Sequence, residues 1–231
     1  AAKMLSPEQV KRMEPNVSAV QGLFIGTTGI IDSHALMEYY LSKARSAGSD
    51  IIYDSEIVKI EKRSGEYELT TLSEDGRAGS FRAAVVVNAA GLESDTVAAV
   101  AGIDKHKYRL HYNKGDYFRI GARKNTFVKM PVYPVSRPDD TSLGIHFTPD
   151  LAGGARLGPD DLYLNTRHID YNVDPGKADL FYQSAKGFLP FLEEGDLSPD
   201  TSGVRPKLQG PGEPFRDFVI EHEKEAGLEG F

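Results

Sequence analysis

The 231-residue chain contains no cysteine, which excludes disulfides and thiol chemistry and suits a reducing compartment. No stretch reaches 18 consecutive apolar residues, so no membrane-spanning helix is expected; the chain reads as cytoplasmic, or at most peripheral to a membrane. No signal-peptide pattern is visible. Basic residues are in deficit: 27 Lys and Arg stand against 34 Asp and Glu, a net charge of -7. Nucleic acid is therefore not expected as a partner, because phosphate binding needs a basic face. No His/Asp/Glu set has metal-ligand spacing, and no Ser sits in a Gly-x-Ser-x-Gly elbow. Gly-x-Gly-x-x-Gly is also missing. Gly22, Gly26 and Gly29 have the wrong spacing, as do Gly153, Gly154 and Gly158. Asn16-Val17-Ser18 matches a glycosylation sequon, a triplet common by chance.

What is present is an ordinary globular composition, 40% hydrophobic and 26% charged, long enough for a sizeable core. The most informative junction is Ala83-Ala84-Val85-Val86-Val87 running into Asn88-Ala89-Ala90-Gly91. Small and β-branched apolar residues in a row suit a strand covered on both faces, as in a parallel sheet. An amphipathic helix should follow from Glu93 to Val100. Strand, Gly turn and helix bring backbone N–H groups to the carboxyl edge of a sheet, where dinucleotides lie. The same junction also occurs in any α/β protein.

The rest of the pattern alternates between periods. Ser6-Pro7-Glu8-Gln9 reads as a capped helix start, ending before Pro15. Asp32 or Ser33 caps a helix to Ala47, with Leu36, Tyr40, Leu41 and Ala44 on one face. Strands are expected at 51–53, 56–63, 67–72 and 79–87, with turns at Gly65 and Asp75-Gly76. A second texture begins near residue 105, with antiparallel strands at 108–112, 117–120, 127–133, 143–148, 155–157 and 162–164. A helix at 179–194 is interrupted by Pro190, and 203–208 is extended. The fold class is α/β (α+β): a partial Rossmann-like dinucleotide-binding domain at 1–104 and 197–231, and an antiparallel-sheet substrate domain at 105–196.

Two residues stand out chemically. Arg205 lies between Val204 and Pro206 in a short apolar strand. Burying it there is costly unless it meets an anion, and its planar fork suits a carboxylate; a local Asp or Glu is the competing partner. His146 lies in the alternating Gly144-Ile145-His146-Phe147, as a base or a hydrogen-bonded structural residue. In Lys114-Gly115-Asp116-Tyr117 the glycine marks either a β-turn or a close backbone approach to a ring. The remaining histidines lie in polar contexts, His111 being nearest to a plausible site.

Several stretches carry a family resemblance. Asp32-Ser33-His34-Ala35-Leu36, Ile57-Val58-Lys59-Ile60 and Val85 to Gly91, in that order and spacing, resemble the middle of FAD-dependent oxidoreductases related to D-amino-acid oxidase. Leu143-Gly144-Ile145-His146-Phe147-Thr148-Pro149, Leu157-Gly158-Pro159 and Gly203-Val204-Arg205-Pro206-Lys207-Leu208 look like the L-2-hydroxyglutarate oxidase/dehydrogenase branch. The resemblance runs from about Leu5 to Phe218. It implies FAD as cofactor, with Val58, Asn88, Ala89, Ala90 and Gly91 against it and Lys114, Gly115 and Tyr117 near the flavin or substrate. It implies oxidation of an L-2-hydroxy acid, with His146 and Arg205 catalytic and oxygen or a quinone as electron acceptor. The same fold serves amino-acid and amine oxidases and glycerol-3-phosphate dehydrogenases, and a non-enzymatic binding module is the reading of another class. Members of the family begin with Gly-x-Gly-x-x-Gly and end in a flavin-contacting segment. The chain therefore resembles the interior of a longer enzyme, expected to be inactive and free of FAD by itself.

Overall fold

The computed structural model describes residues 2–135 and 144–231. In chain order the elements are β1 (Ala2–Leu5), α1 (Pro7–Met13), β2 (Gly22–Ile25), α2 (Ser33–Ser46), β3 (Glu56–Arg63), β4 (Glu66–Leu72) and β5 (Ala78–Ala83). There follow α3 (Ser94–Val100), β6 (His111–Ile120), β7 (His146–Pro149), β8 (Ala155–Gly158), β9 (Leu162–Tyr163), α4 (Ala178–Ala185) and β10 (Leu197–Lys207). They form two compact units: Ala1–Leu41 with Asn113–Val204, and Ser42–Tyr112 with Arg205–Phe231. The boundaries differ from the expected 104/105 and 196/197, and residues 1–41 pack with the sheet unit. The strands β6 and β10 continue through both boundaries, so hydrophobic patterning gives no break there.

The first unit is built on a sheet in the order β10-β6-β8-β7, with β9 also on β6. Its register sorts side chains onto two faces. Phe118 pairs with Leu157 and Leu157 with Phe147, and all three are fully buried. Alternation sends this row to one face, where Phe181, Ala185 and Leu189 of the α4 region close over it. The Phe118 and Phe181 rings are 4.5 Å apart. At the amino end, α1 is capped as its sequence predicts: Gln9 N–H donates to Ser6 Oγ, and Ser6 N–H donates to Gln9 Oε1 at 2.8 Å. Buried Glu14 then accepts from the Lys129 and Met130 amides, both at 2.9 Å.

Two expectations fail here, and one alternative is decided. Of the two readings of Lys114-Gly115 the turn falls, because β6 runs unbroken from His111 to Ile120. Residues 127–133 form no strand; only Val132 bridges, to Phe147, with bonds of 2.9 and 3.0 Å. The helix expected to 194 stops at Ala185, short of Pro190, and continues as turns.

The second unit is an antiparallel meander, β3-β4-β5, turning at Ser64-Gly65 and Asp75-Gly76. The glycines supply positive φ, 89° at Gly65 and 82° at Gly76. Ile60, Tyr67, Leu69 and Ala101 form its core, with Leu228 and Phe231 packed against them. The Tyr67 hydroxyl donates to Glu229 O at 3.0 Å. Buried Glu223 accepts from Lys107 Nζ at 2.8 Å and from the Tyr108 hydroxyl.

The buried parallel strand at Ala83–Val87 is not found. The strand β5 ends at Ala83, and residues 84–90 belong to no strand. Val85 is 63% exposed and Val87 82%, while Val86 packs inward and donates to Gly230 O at 2.9 Å. A strand requires a ladder, and among the described residues Gly230 alone supplies a rung. Residues 51–53 are likewise exposed and without strand, and no residue of α2 is buried.

Candidate functional site

Beside the buried row, every strand of the first unit's sheet presents its neighbours to the opposite face. His146 pairs with Gly158, and Thr148 with Arg156. Arg119 pairs with Arg156, which places Tyr117 in line with Gly158. Two adjacent rows result: Tyr117, Gly158 and His146, then Arg119, Arg156 and Thr148. A Cβ on Gly158 would meet the Tyr117 ring at 2.7 Å and the Asp116 carbonyl at 2.7 Å, and the φ there is +137°. Glycine at 158 thus lets the Tyr117 ring lie beside His146's row.

Tyr133 extends the first row. The Val132–Phe147 bridge exchanges both backbone bonds, so Tyr133 and His146 form the next, non-hydrogen-bonded pair, whose side chains stand closest. Their rings stack with centroids 4.3 Å apart at 26°. His146 is 9% exposed, and its Nδ1 lies 3.0 Å from the Gly144 carbonyl. A carbonyl only accepts, so Nδ1 carries the proton and Nε2 keeps a lone pair. Burial pushes the imidazole below its ordinary range, partly opposed by the Gly144 bond. His146 is therefore a neutral base with a fixed tautomer.

In the second row two guanidiniums stand directly opposite, an arrangement that repels. Asp200 offsets it, accepting from Arg119 Nε at 3.1 Å and Nη2 at 2.9 Å. Arg156 lies farther from acids, 3.6 Å from Asp200 and 3.9 Å from Asp150. Asn113 also follows the Tyr117 face along β6; it is buried, and its Nδ2 has no hydrogen-bond partner.

Lys114 and Asp116 point the other way. Lys177 Nζ donates to Asp116 at 2.6 Å and to Asp160 at 2.8 Å, and Lys114 Nζ donates to Asn172 O at 2.6 Å. Burial opposes the Lys177 charge, but its two carboxylates outweigh that and raise it above its ordinary range. Two Lys and two Asp form a neutral, partly buried cluster, with Lys114 and Asp116 at its buried end, so Lys114 has a packing role. So has Gly115, where a Cβ would meet Pro159 Cβ at 2.5 Å.

Arg205 is exposed rather than buried, on the second-unit end of β10, and no described acid pairs with it. The premise of a costly buried charge falls, while the unpaired fork remains. Among the cofactor candidates, Val58 sits at a bulge in β3 between Ile57 and Lys59, 41% exposed. Asn88 shapes the following turn: its Nδ2 donates to Ser94 O at 2.7 Å, and its Oδ1 accepts from Ala90 N at 3.3 Å. Ala89, Ala90 and Gly91 are exposed, and Gly91 has φ +59° with nothing near its absent Cβ. An open, side-chain-poor backbone suits a flat group lying against it.

Sequence reasoning missed Tyr133, Arg156 and Lys177. Tyr133 was visible only as part of a strand that does not form. Arg156 carried a signal, since it is two residues before Gly158 in a period-2 strand.

The family profile described as "FAD dependent oxidoreductase" matches residues 1–228. The mitochondrial L-2-hydroxyglutarate dehydrogenase of Arabidopsis thaliana is 29% identical over 99% of this chain and 54% of its own length. The L-2-hydroxyglutarate dehydrogenase of Indibacter alkaliphilus is 28% identical over 97% of this chain and 63% of its own length. The chain thus spans somewhat more than half of these relatives. Among solved structures, the FAD-bound, dithionite-reduced L-α-glycerophosphate oxidase of Mycoplasma pneumoniae superposes with a TM-score of 0.75 at 23% identity, covering 89% of this chain and 53% of that one. Among the described residues, no helix is long and apolar enough to cross a membrane. With nearly every residue matched, and an exposed βα turn and a polar sheet face beside a neutral histidine, the chain belongs to the FAD-dependent oxidoreductase family.

Proposed function

We propose that the protein oxidises an L-2-hydroxy acid to the 2-oxo acid, with L-2-hydroxyglutarate the leading substrate. The observation that supports it is His146, whose Nδ1–H is held by Gly144 O so that Nε2 is left as a base. FAD, when bound, would supply the acceptor for the hydride that leaves the hydroxyl-bearing carbon. His146 takes the hydroxyl proton, Tyr133 keeps the imidazole plane fixed, and Tyr117 shields the same row. Val58 and the Asn88 to Gly91 turn are proposed to lie against the cofactor. Arg205 is proposed separately, as a carboxylate contact in its own unit.

Purified full-length protein, challenged without oxygen by a panel of 2-hydroxy acids, 2-amino acids and glycerol 3-phosphate, tests this. Bleaching of the flavin band by L-2-hydroxy acids is the expected outcome. Bleaching only by an amino acid or by glycerol 3-phosphate overturns it. Reoxidation by oxygen against a quinone assigns the acceptor.

A further inference from the structure

We propose that Arg156 binds the substrate carboxylate farther from the reacting carbon, and so selects dicarboxylic over monocarboxylic 2-hydroxy acids. The proposal rests on His146 acting at the hydroxyl-bearing carbon. It is carried by register. His146 faces Gly158, and Arg156 is two residues from Gly158 on the same strand and the same face. Two residues advance a strand by roughly 6.5 Å, and diagonal neighbours stand about 7–8 Å apart. In a five-carbon diacid the far carboxylate lies three carbon–carbon bonds beyond the hydroxyl-bearing carbon. That separation, with a hydrogen bond at each end, matches one row of the sheet.

The state of Arg156 also fits. Its side chain is 30% exposed, and its acid contacts, 3.6 Å to Asp200 and 3.9 Å to Asp150, are too long for hydrogen bonds. Each acid has one oxygen committed elsewhere, while Asp200 Oδ2, the oxygen nearest Arg156, has no hydrogen-bond partner. Asp200 Oδ1 holds the Arg119 fork, and Asp150 Oδ1 accepts from the Ala152 and Gly154 amides at 2.9 and 2.7 Å. The two carboxylates steer the guanidinium without consuming its donors. An incoming carboxylate would take those donors in a paired, charge-assisted geometry. The facing Arg119 favours the same ligand sign, and Thr148 completes the row.

The experiment compares wild type, Arg156→Gln and Arg156→Lys in the full-length flavoprotein. Two readouts are taken: kcat and KM for L-2-hydroxyglutarate against L-2-hydroxybutyrate, and calorimetric Kd for glutarate. Arg156→Gln should raise KM for the diacid and Kd for glutarate roughly ten- to a hundredfold, with kcat nearly unchanged. L-2-hydroxybutyrate turnover should move less than about threefold, since it never meets the guanidinium. Arg156→Lys should fall between. An equal loss on both substrates, or an unchanged glutarate Kd, overturns the proposal. A lower melting temperature with unaltered selectivity in Arg156→Lys also does so, and would make Arg156 a structural partner of Asp200. If no hydroxy acid is oxidised but glutarate binding still depends on Arg156, the fault lies in the assigned reaction and not in the anion site.

Discussion

A buried histidine that donates from Nδ1 carries its own pH signature. Because burial holds His146 below the ordinary imidazole range, it is neutral at pH 7 and stays so into mild acid. The expected kcat/KM profile is flat near neutrality and falls as pH drops through the lowered folded value. Stability has a related but distinct window. Below the unfolded value of about 6.5 the unfolded chain takes up a proton first, so stability should fall until the folded imidazole is protonated too. His146→Gln should remove that dependence, and urea denaturation at pH 7.5 and 5.5 measures it. Arg205 tests a different kind of residue. Its exposure predicts that Arg205→Lys leaves the melting temperature within about 1–2 °C of wild type. If it contacts a substrate carboxylate, kcat/KM falls roughly ten- to a hundredfold, through loss of the fork.

At the scale of elements, the sheet of the first unit is held by one row and one charge cluster. Phe118→Ala should cost about 3–5 kcal/mol, since the ring is fully buried against Phe181. Lys177→Met should cost about 3–5 kcal/mol, because it leaves Asp160 without its positive partner and Asp116 with Lys114 alone, at 3.4 Å. Chemical denaturation of each variant checks both. Much of this architecture was legible in the chain. The Ser6 capping box, the 56–63 and 67–72 strands, the helix beginning near Glu93 and the alternation around His146 all follow local rules that tertiary packing did not override. The failures are non-local. Ala83 to Val87 has the composition of a covered strand, but composition does not supply a partner. Lys114-Gly115 carries a turn signal, yet its glycine answers to Pro159, 44 residues away. The site followed the same division. His146 and Arg156 each carried a signal in their own period-2 strands, whereas Tyr133 became visible only through pairing.

For the molecule as a whole, the two units should differ in local stability. The β6–β8–β7 sheet carries a ladder over a closed core, whereas among residues 84–90 only the Val86 amide donates a backbone–backbone bond. Hydrogen exchange should protect the amides of Phe118, Leu157 and Phe147 most strongly. Val85 and Val87 should exchange freely, and Val86 more slowly than either. Comparable protection across 84–90 and β8 would contradict the fold described.

The two-faced sheet also bears on how this protein can change over generations. Phe147 and Leu157 fill the core, and their immediate neighbours His146, Arg156 and Gly158 form the polar face. One inserted or deleted residue in β7 or β8 would exchange the two sets, sending Leu157 into water and a guanidinium into the apolar interior. Length variation among descendants should therefore be confined to connections such as the turn at Asp150 to Gly154, while β7 and β8 keep their residue count even where their side chains diverge. Chemical drift in this lineage is open to substitution and closed to indels at the strands that carry this polar face.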